Sequence, residues 1–268
     1  MARARDVAGG GRAVEVEPER LLAWFVRFAE RHGGLVGVDG TLQHLRFGAA
    51  DGASAEVTVP YDGLPATAGV VGSLVTGAVA TEHGSAGSGG GGSDAVGSDA
   101  AALGPPVVAV LDALHAHLTV PRRVGIVLVR LGGYSVGVAV DGLVEASTTG
   151  ARPVHGRNRK GGSSSARFAR RRDNQARVAL DAAAAAVARF LLPRADALDA
   201  VVLGGDASAL DTLNADRRLT TLLTRAEPRV LDVPEPRRAV LDEAARRARA
   251  VEIVVRERGR RPASPPVS

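Results

Sequence analysis

Residues 124–147 read VGIVLVRLGGYSVGVAVDGLVEAS, and this stretch decides the fold of the second half of the chain. Its apolar runs are separated by two short glycine-containing segments, Leu131-Gly132-Gly133 and Asp141-Gly142, which are typical of tight turns between strands. Three strands joined in this way predict an antiparallel meander. The three runs are Val124–Val129, Tyr134–Val140 and Leu143–Ser147.

The residues after the meander alternate between helical and strand patterns. A polar loop is expected from Thr148 to Ser163, and it precedes a long helix from about Ser164 to Leu192. A buried strand at Leu198–Leu203 runs into Gly204-Gly205-Asp206, which lacks a Walker or GxGxxG pattern and is interpreted as a tight turn rather than a phosphate site. This order predicts an α/β domain with a mixed sheet flanked by helices. The remaining predicted elements are helices at Ala207–Leu213, capped by Asp206 or Ser208, and at Asp216–Thr224, a strand at Arg229–Asp232 and a closing helix from Pro236 to about Arg256.

The first part of the chain predicts a small α+β domain. An amphipathic helix begins near Pro18 and stops at His32-Gly33-Gly34, with Trp24 and the phenylalanines of the helix interpreted as core residues. Turn signals at Asp39-Gly40 and Asp51-Gly52 separate the next apolar runs. Those runs predict strands at Leu35–Val38, Leu42–Phe47 and Ala55–Val59.

Composition divides the chain into five predicted segments. A Gly/Ser-rich stretch with little apolar surface predicts a disordered linker or surface loop between two domains. The predicted segments are an N-terminal α+β domain (1–83), the linker or loop (84–104), a connecting helix (105–120), a second domain (121–258) and a disordered tail (259–268).

The overall composition excludes several classes of site. The chain has no cysteine, so it has neither disulfides nor a thiol nucleophile nor a zinc-thiolate site. Residues 1–120 carry a net charge of −6 and residues 121–268 a net charge of +11. No apolar leader follows Met1, and the longest uncharged stretch, Gly63 to Thr81, is too rich in small residues to predict a membrane span. We expect a soluble, cytoplasmic protein with no membrane partner.

The strongest local charge lies between Arg152 and Arg177. Nine of these 26 residues are Arg or Lys, and Asp173 is the one acidic residue, which gives a net charge of +8. Such a density of positive charge is typical of a segment that binds a polyphosphate backbone, through charge-assisted contacts and counterion release. The segment also contains Gly161-Gly162, where the backbone can approach a ligand without Cβ atoms in the way.

These motifs resemble a known family. The run GRNRKGGSSSARFARRRDNQARVALDAAAAAVARF at 156–190, with the meander before it and DAVVLGGDASALDTL after it, resembles the middle domain of eukaryotic and archaeal class-one peptide-chain release factors. It is most similar to the actinobacterial branch of the Vms-like release-factor family, which are peptidyl-tRNA hydrolases. The resemblance covers 121–258, and WFVRFAERHGG at 24–34 extends it more loosely over 18–60.

The resemblance implies a release-factor-like middle domain and an enzyme that hydrolyses peptidyl-tRNA on stalled ribosomes or large subunits. The implied partners are the large subunit, its rRNA and peptidyl-tRNA, with no metal or organic cofactor and a monomeric protein. Gly161 and Gly162 match the two glycines of the family's GGQ tip, whereas Ser163 stands where the glutamine would be. The implied catalytic residues are Gly161, Gly162, Ser163 and Ser164. The implied RNA-binding residues are Arg157, Arg159, Lys160, Arg167, Arg170, Arg171 and Arg172.

The serine in place of glutamine leaves several functions open. The Ser163 backbone N–H can still stabilise an oxyanion, and a serine hydroxyl can hold a water, whereas Gln175 lies about 15 Å down the predicted helix. The alternatives to a hydrolase are an endonuclease that cuts near the tRNA 3′ end and a catalytically silent RNA-binding module. His155 is interpreted as a loop or RNA-contact residue, with a general base as the alternative. The arginines at 246–261 are interpreted as an RNA contact or as a solvated face.

Overall fold

The structure is a computed structural model that describes residues 4–7, 10–66, 103–151 and 165–257, with side chains from Asn174 onward in the helix that begins at Ser165. The chain forms two compact units, of which the first combines Met1–Val120 with Ala250–Ser268 and the second is Pro121–Arg249. Both units mix sheet and helix, as the sequence predicts, so the fold class is α+β. No helix in the described ranges is both long and apolar enough to span a bilayer.

Eleven strands and six α-helices are described. The strands are β1 (Ala4–Asp6), β2 (Arg12–Val16), β3 (Leu35–Gly40), β4 (His44–Ala49), β5 (Ser54–Thr58), β6 (Arg123–Arg130), β7 (Gly133–Val140), β8 (Leu143–Ala151), β9 (Ala200–Gly205), β10 (Ala226–Leu231) and β11 (Val251–Arg256). The helices are α1 (Leu21–Arg31), α2 (Pro105–Thr119), α3 (Ser165–Leu191), α4 (Ala207–Asn214), α5 (Thr220–Leu223) and α6 (Arg238–Arg249).

The first unit is a six-stranded sheet with two helices. Its strand order is β1-β2-β11-β5-β4-β3, and every neighbouring pair is antiparallel. Helices α1 and α2 share one hydrophobic core with the sheet, and Phe25 of α1 packs on Phe47 of β4 with ring centroids 4.3 Å apart. The three strands predicted after the helix are confirmed to within a few residues, whereas β1 and β2 were not predicted.

The end of the chain corrects the sequence prediction. A single helix was expected from Pro236 to about Arg256, but α6 stops at Arg249 and residues 251–256 form β11, between β2 and β5. The physical reason is the concentration of the β-branched residues Val251, Ile253, Val254 and Val255, because β-branched side chains favour a strand. The second unit therefore ends at Arg249 and not near residue 258.

Helix α2 is part of the first unit's core and not merely a connection. Its buried face carries Val107, Val110, Leu111, Leu114 and Leu118, all in the core cluster formed with α1 and the sheet. Leu103, which was assigned to the end of the linker, is 2% exposed and joins the same core. Gly104 is the N-cap residue of α2, and the rest of the predicted linker, residues 84–102, lies outside the described residues.

The second unit is built on a five-stranded sheet of order β10-β9-β6-β7-β8. The predicted meander is confirmed, since β6, β7 and β8 pair antiparallel in sequence, and β9 is parallel to both β6 and β10. Strand β8 continues to Ala151, whereas a loop was expected from Thr148. The reason is that Thr148, Thr149 and Gly150 still find partners on β7, despite a composition that is typical of loops.

Helices cover both faces of this sheet. On one face, α3 and α4 pack on the alternate residues Val127, Val129, Val136, Val138, Val201 and Leu203. On the other face, α6 approaches β7 so closely that a Cβ at Gly137 would lie 2.8 Å from a methyl carbon of Leu241. The result is a three-layer sandwich in which the apolar strands β6 and β9 are buried, as the near-continuous apolar runs predict.

The turn at Gly204-Gly205-Asp206 is a tight turn that links β9 to α4. Gly205 has φ +123°, and a Cβ there would lie 1.8 Å from the carbonyl oxygen of Val129. Asp206 is the N-cap residue of α4, but its carboxylate makes no capping bond. It instead pairs with Arg130 at 2.8 Å and accepts the Leu131 N–H at 3.3 Å, which corrects the capping role predicted for it.

Gly205→Ala tests this close approach. The substitution forces either strain at positive φ or separation of β9 from β6, so we expect the protein to lose about 2–4 kcal/mol of stability. Urea denaturation followed by circular dichroism measures the change. Gly132→Ala is the matched control, because its nearest neighbour is a flexible carboxylate oxygen 3.5 Å away. Equal midpoints for the two variants would contradict the constraint.

Asp51 stabilises the turn between β4 and β5. Its carboxylate accepts the Ala53 N–H at 2.9 Å and contacts Nδ1 of His32 at 2.8 Å, and these two bonds, the first the larger, lower the pKa of Asp51 below its ordinary range. A lowered folded-state pKa contributes stability above the ordinary pKa, and this stability disappears as pH falls through the lowered value.

We therefore expect Asp51→Ala to lower the melting temperature at neutral pH. The difference from the unsubstituted protein should shrink as the pH falls into the range where the carboxyl protonates. Asp112→Ala removes an exposed carboxylate of α2 that has no partner among the described residues, and it serves as the control. If the melting temperature of Asp51→Ala differs from that of the unsubstituted protein by the same amount at every pH, the charge of Asp51 contributes nothing to stability.

Candidate RNA-facing segment

The basic segment, residues 152–177, comprises the connection between the edge strand β8 and helix α3 and the first 13 residues of that helix. Strand β8 ends at Ala151 and α3 begins at Ser165, so residues 152–164 form the connection and lie outside the described residues. Among the predicted site residues, Gly161, Gly162, Ser163, Ser164, Arg157, Arg159 and Lys160 fall in that range, as does His155. Arg167, Arg170, Arg171 and Arg172 lie on the first two turns of α3, where the backbone alone is described.

Helix α3 is long, and its described contacts begin well after its first residue. It has 27 residues, about 40 Å at 1.5 Å per residue. Among its described side chains, which begin at Asn174, the first buried one is Ala179, about 21 Å along the axis from Ser165, whereas Asn174, Arg177 and Val178 are exposed. The four predicted RNA-binding arginines of α3 come before these described side chains along the helix.

Gln175 is not a substitute for the missing tip glutamine. It lies ten residues after Ser165, about 15 Å along a helix that has no break between the two. Its side chain is half-buried on the helix. Reaching back to the start of the helix would require α3 to unwind.

The strand that leads into the segment is fixed by two contacts that the sequence did not reveal. The hydroxyls of Ser135 and Thr149 are hydrogen bonded at 2.8 Å, with Ser135 fully buried. The Tyr134 ring lies against Gly150, where a Cβ would come within 2.4 Å of it. These pairs hold β8 on β7 up to the residue before Ala151. Counting outward from the turn at Asp141-Gly142 would pair Tyr134 with Thr149, and the register shift between Ala139 and Val138 moves the partner of Tyr134 to Gly150.

Three arginines near the end of the second unit form hydrogen bonds or ion pairs with other residues of that unit. Arg247 is 9% exposed and donates to the Asp232 carbonyl at 2.8 Å. Arg249 pairs with Asp141 at 2.9 Å, and Arg246 pairs with Glu243. These contacts give the side chains partners within the fold, and their interpretation as an RNA contact or a solvated face stays a prediction; Arg258, Arg260 and Arg261 lie outside the described residues.

Outside the basic segment, carboxylates nearly balance the positive charge of the second unit. Residues 121–249 hold 23 basic and 14 acidic residues, a net charge of +9, of which the segment 152–177 accounts for +8. The described ion pairs include Arg123 with Glu145 at 2.7 Å and Arg218 with Asp216 at 2.6 Å. The hydrogen bond from the Arg218 side chain lowers the pKa of Asp216, so that carboxylate stays charged. The excess positive charge of the unit thus lies almost wholly in the basic segment.

The described residues contain no candidate metal site. In the ranges 4–7, 10–66, 103–151 and 165–257, no three His, Asp or Glu side chains come together as metal ligands would.

A comparison with protein families gives a match that lies mainly in the second unit. Residues 122–254 match the model of a family described as acVLRF1, the Actinobacteria/chloroflexi VLRF1 release factor. The match includes four of the six residues of β11, so it extends past the second unit into the first unit's sheet. The comparison with curated proteins gave no match.

Among solved structures, the crystal structure of the archaeal translation termination factor aRF1 is similar, with 18% identity and a TM-score of 0.35. The alignment covers 46% of this chain and 33% of that factor, so the chain spans about a third of its length. Over residues 122–254, just under half of the chain, the sequence is similar to the Actinobacteria/chloroflexi VLRF1 release factor family.

Proposed function

We propose that the protein is a peptidyl-tRNA hydrolase that acts on the large ribosomal subunit of stalled ribosomes. Its similarity to a release-factor family over residues 122–254 supports a role in translation. The observation that carries the proposal is the concentration of +8 of the second unit's +9 net charge on the segment that contains Gly161-Gly162. The proposed setting is the cytoplasm, with a monomeric protein and no cofactor.

The substrate explains why the charge is concentrated in this way. The ester of peptidyl-tRNA lies in a cavity lined by RNA phosphates, so a hydrolase must reach it on a narrow, basic element. Residues 152–164 of the segment follow β8, which ends at Ala151 just after the contacts of Tyr134 and Thr149, and the rest of the segment lies on α3, which shares the core of the sheet from Leu180 onward. A firm base at both ends lets binding energy position the segment at the reacting group.

The chemistry proposed for the tip uses backbone and hydroxyl groups. Gly161 and Gly162 let the backbone come close to the ester, and the Ser163 N–H donates to the oxyanion that forms as water attacks the carbonyl carbon. The Ser163 or Ser164 hydroxyl holds that water. The bond between the carbonyl carbon and the tRNA ribose oxygen then breaks, and the ribose oxygen takes a proton. The products are a peptide with a free carboxyl group and a tRNA with an intact 3′ end.

Replacing Gly161 and Gly162 together by Ala tests the tip assignment. The added Cβ atoms hold the backbone away from the ester, so we expect peptide release from stalled ribosomal complexes to fall by at least about 100-fold, as when an oxyanion donor is lost. Binding to the same complexes should change little. Release is measured from labelled peptidyl-tRNA on purified large subunits, and binding by co-sedimentation.

Ser163→Gln is the matched variant within the same tip. It restores the longer amide that release factors use to position water, so release should be at least as fast as with Ser163. If the double alanine variant releases peptide as fast as the unsubstituted protein, the glycine pair is not the tip.

Charge reversal of Arg170, Arg171 and Arg172 to Glu tests the RNA contact. Because each phosphate contact adds about 0.7–0.9 to the slope of log affinity against log salt, the loss of three contacts should flatten the slope by about 2–3 and weaken binding to large subunits. Reversal of the exposed Arg189 and Arg217 is the control, since neither has an ion-pair partner in the described part of the chain. Unchanged affinity and slope in the triple variant would remove this part of α3 from the RNA contact.

A further inference from the structure

The first unit contains a pocket of about 470 Å³ that lies entirely outside the matched residues 122–254. One wall is helix α1, and the other is formed by strands β1, β2 and β11 with adjoining residues. This volume falls within the range of small-molecule sites in proteins. The function proposed for the second unit makes no use of it.

The helical wall combines aromatic and basic side chains. Trp24, Arg27, Phe28, Arg31 and His32 all line the pocket, and their spacing of three and four residues puts them on one side of α1. The Trp24 and Phe28 rings are stacked, with centroids 5.4 Å apart and planes 8° apart. His32, which contacts Phe28, is held in place by Asp51 through its Nδ1.

The sheet wall is a row across three strands. Asp6 of β1 lies opposite Arg12 of β2, and Arg12 lies opposite Val255 of β11, so these three residues meet the pocket side by side. Val14 and Glu257 continue the same wall two residues further along β2 and beyond β11. The pocket thus faces aromatic rings and cations on one side, and one cation and two carboxylates on the other.

Among the described residues, the arginines of the pocket have no ion-pair partner, whereas several other arginines of the unit do. Arg5, Arg46 and Arg256 each form an ion pair, with Glu252, Asp39 and Glu56. Within the described ranges, by contrast, Arg12, Arg27 and Arg31 make no ion pair or side-chain hydrogen bond. Three guanidinium groups that line one pocket without a carboxylate partner are suited to an anionic ligand with several acceptor oxygens.

We propose that this pocket binds one nucleotide of a single-stranded RNA. The base stacks on the Trp24–Phe28 pair, and the phosphate accepts hydrogen bonds from Arg27 and Arg31, joined by Arg12. The carboxylates of Asp6 and Glu257 accept N–H groups of the base edge. Unpaired RNA is the form that presents a free base face, a free base edge and a phosphate together.

An acidic peptide is less well suited to the same surface. It would use the arginines, but it has no flat group for the Trp24 ring, and it would be repelled by the carboxylates of Asp6 and Glu257. A nucleotide uses the stacked rings, the cations and the carboxylates at once. The peptide is therefore an outcome of the test and not a second proposal.

Trp24 allows a direct experiment because it is the only tryptophan of the chain. Titration of the full-length protein with AMP, CMP, GMP and UMP should quench its fluorescence saturably, since a base that stacks on the indole contacts the fluorophore. The basic segment 152–177 itself contains no tryptophan. Ribose 5-phosphate, which lacks a base, should bind at least about tenfold more weakly, because stacking is worth about 1–3 kcal/mol per base.

Arg27→Ala and Arg31→Ala should each weaken nucleotide binding about tenfold, through the loss of a charge-assisted hydrogen bond. Arg20→Ala is the matched control, since Arg20 is exposed, lacks an ion pair in the described ranges and does not line the pocket. Thermal melting by circular dichroism checks that each variant is folded. The proposal is overturned by the absence of saturable quenching, by equal losses with Arg20→Ala, by ribose 5-phosphate binding as tightly as the nucleotides, or by hexaglutamate binding more tightly.

Discussion

The pairing of β8 with β7 is the constraint on which the proposed catalytic segment depends. It holds β8 in register as far as Ala151, and the contacts of Tyr134 with Gly150 and of Ser135 with Thr149 secure its last residues. On the far side of the segment, α3 is secured from Leu180 onward by the core it shares with β6, β7 and β9. A strongly basic stretch repels itself, so it can be held as one unit only by apolar and hydrogen-bonded structure outside it. The meander and the second half of α3 supply that structure.

Much of the second unit could be predicted from the sequence, because its determinants are local. Glycine turns at Gly132-Gly133 and Asp141-Gly142 define the meander, and the alanine-rich run of α3 defines the longest helix. Strand β11 could not be predicted, since its partners β2 and β5 lie some 200 residues earlier and its six residues have no turn beside them. The pocket at Trp24 was missed for the same reason, because its second wall exists only when β1, β2 and β11 come together.

The candidate site divides in a similar way. Its charge and its glycine pair are properties of the sequence, and its attachment to β8 and α3 is a property of the fold. The assignments of Gly161, Gly162 and Ser163 stay predictions, because those residues lie outside the described ranges. The structure gives partners within the fold to the arginines near the end of the second unit. Arg247 and Arg249 are committed to carbonyl and carboxylate partners, and this leaves the segment 152–177 as the main source of positive charge.

The most direct test of the central claim is the identity of both products from one reaction. Purified protein is added to large ribosomal subunits that carry a labelled peptidyl-tRNA, and the peptide and the tRNA 3′ end are analysed together. Hydrolysis predicts a free peptide carboxyl group and a full-length tRNA that can be aminoacylated again. A shortened tRNA with the peptide still attached to its terminal fragment would identify an endonuclease, and binding without any product would identify a silent RNA-binding module; either result would contradict the proposed hydrolase.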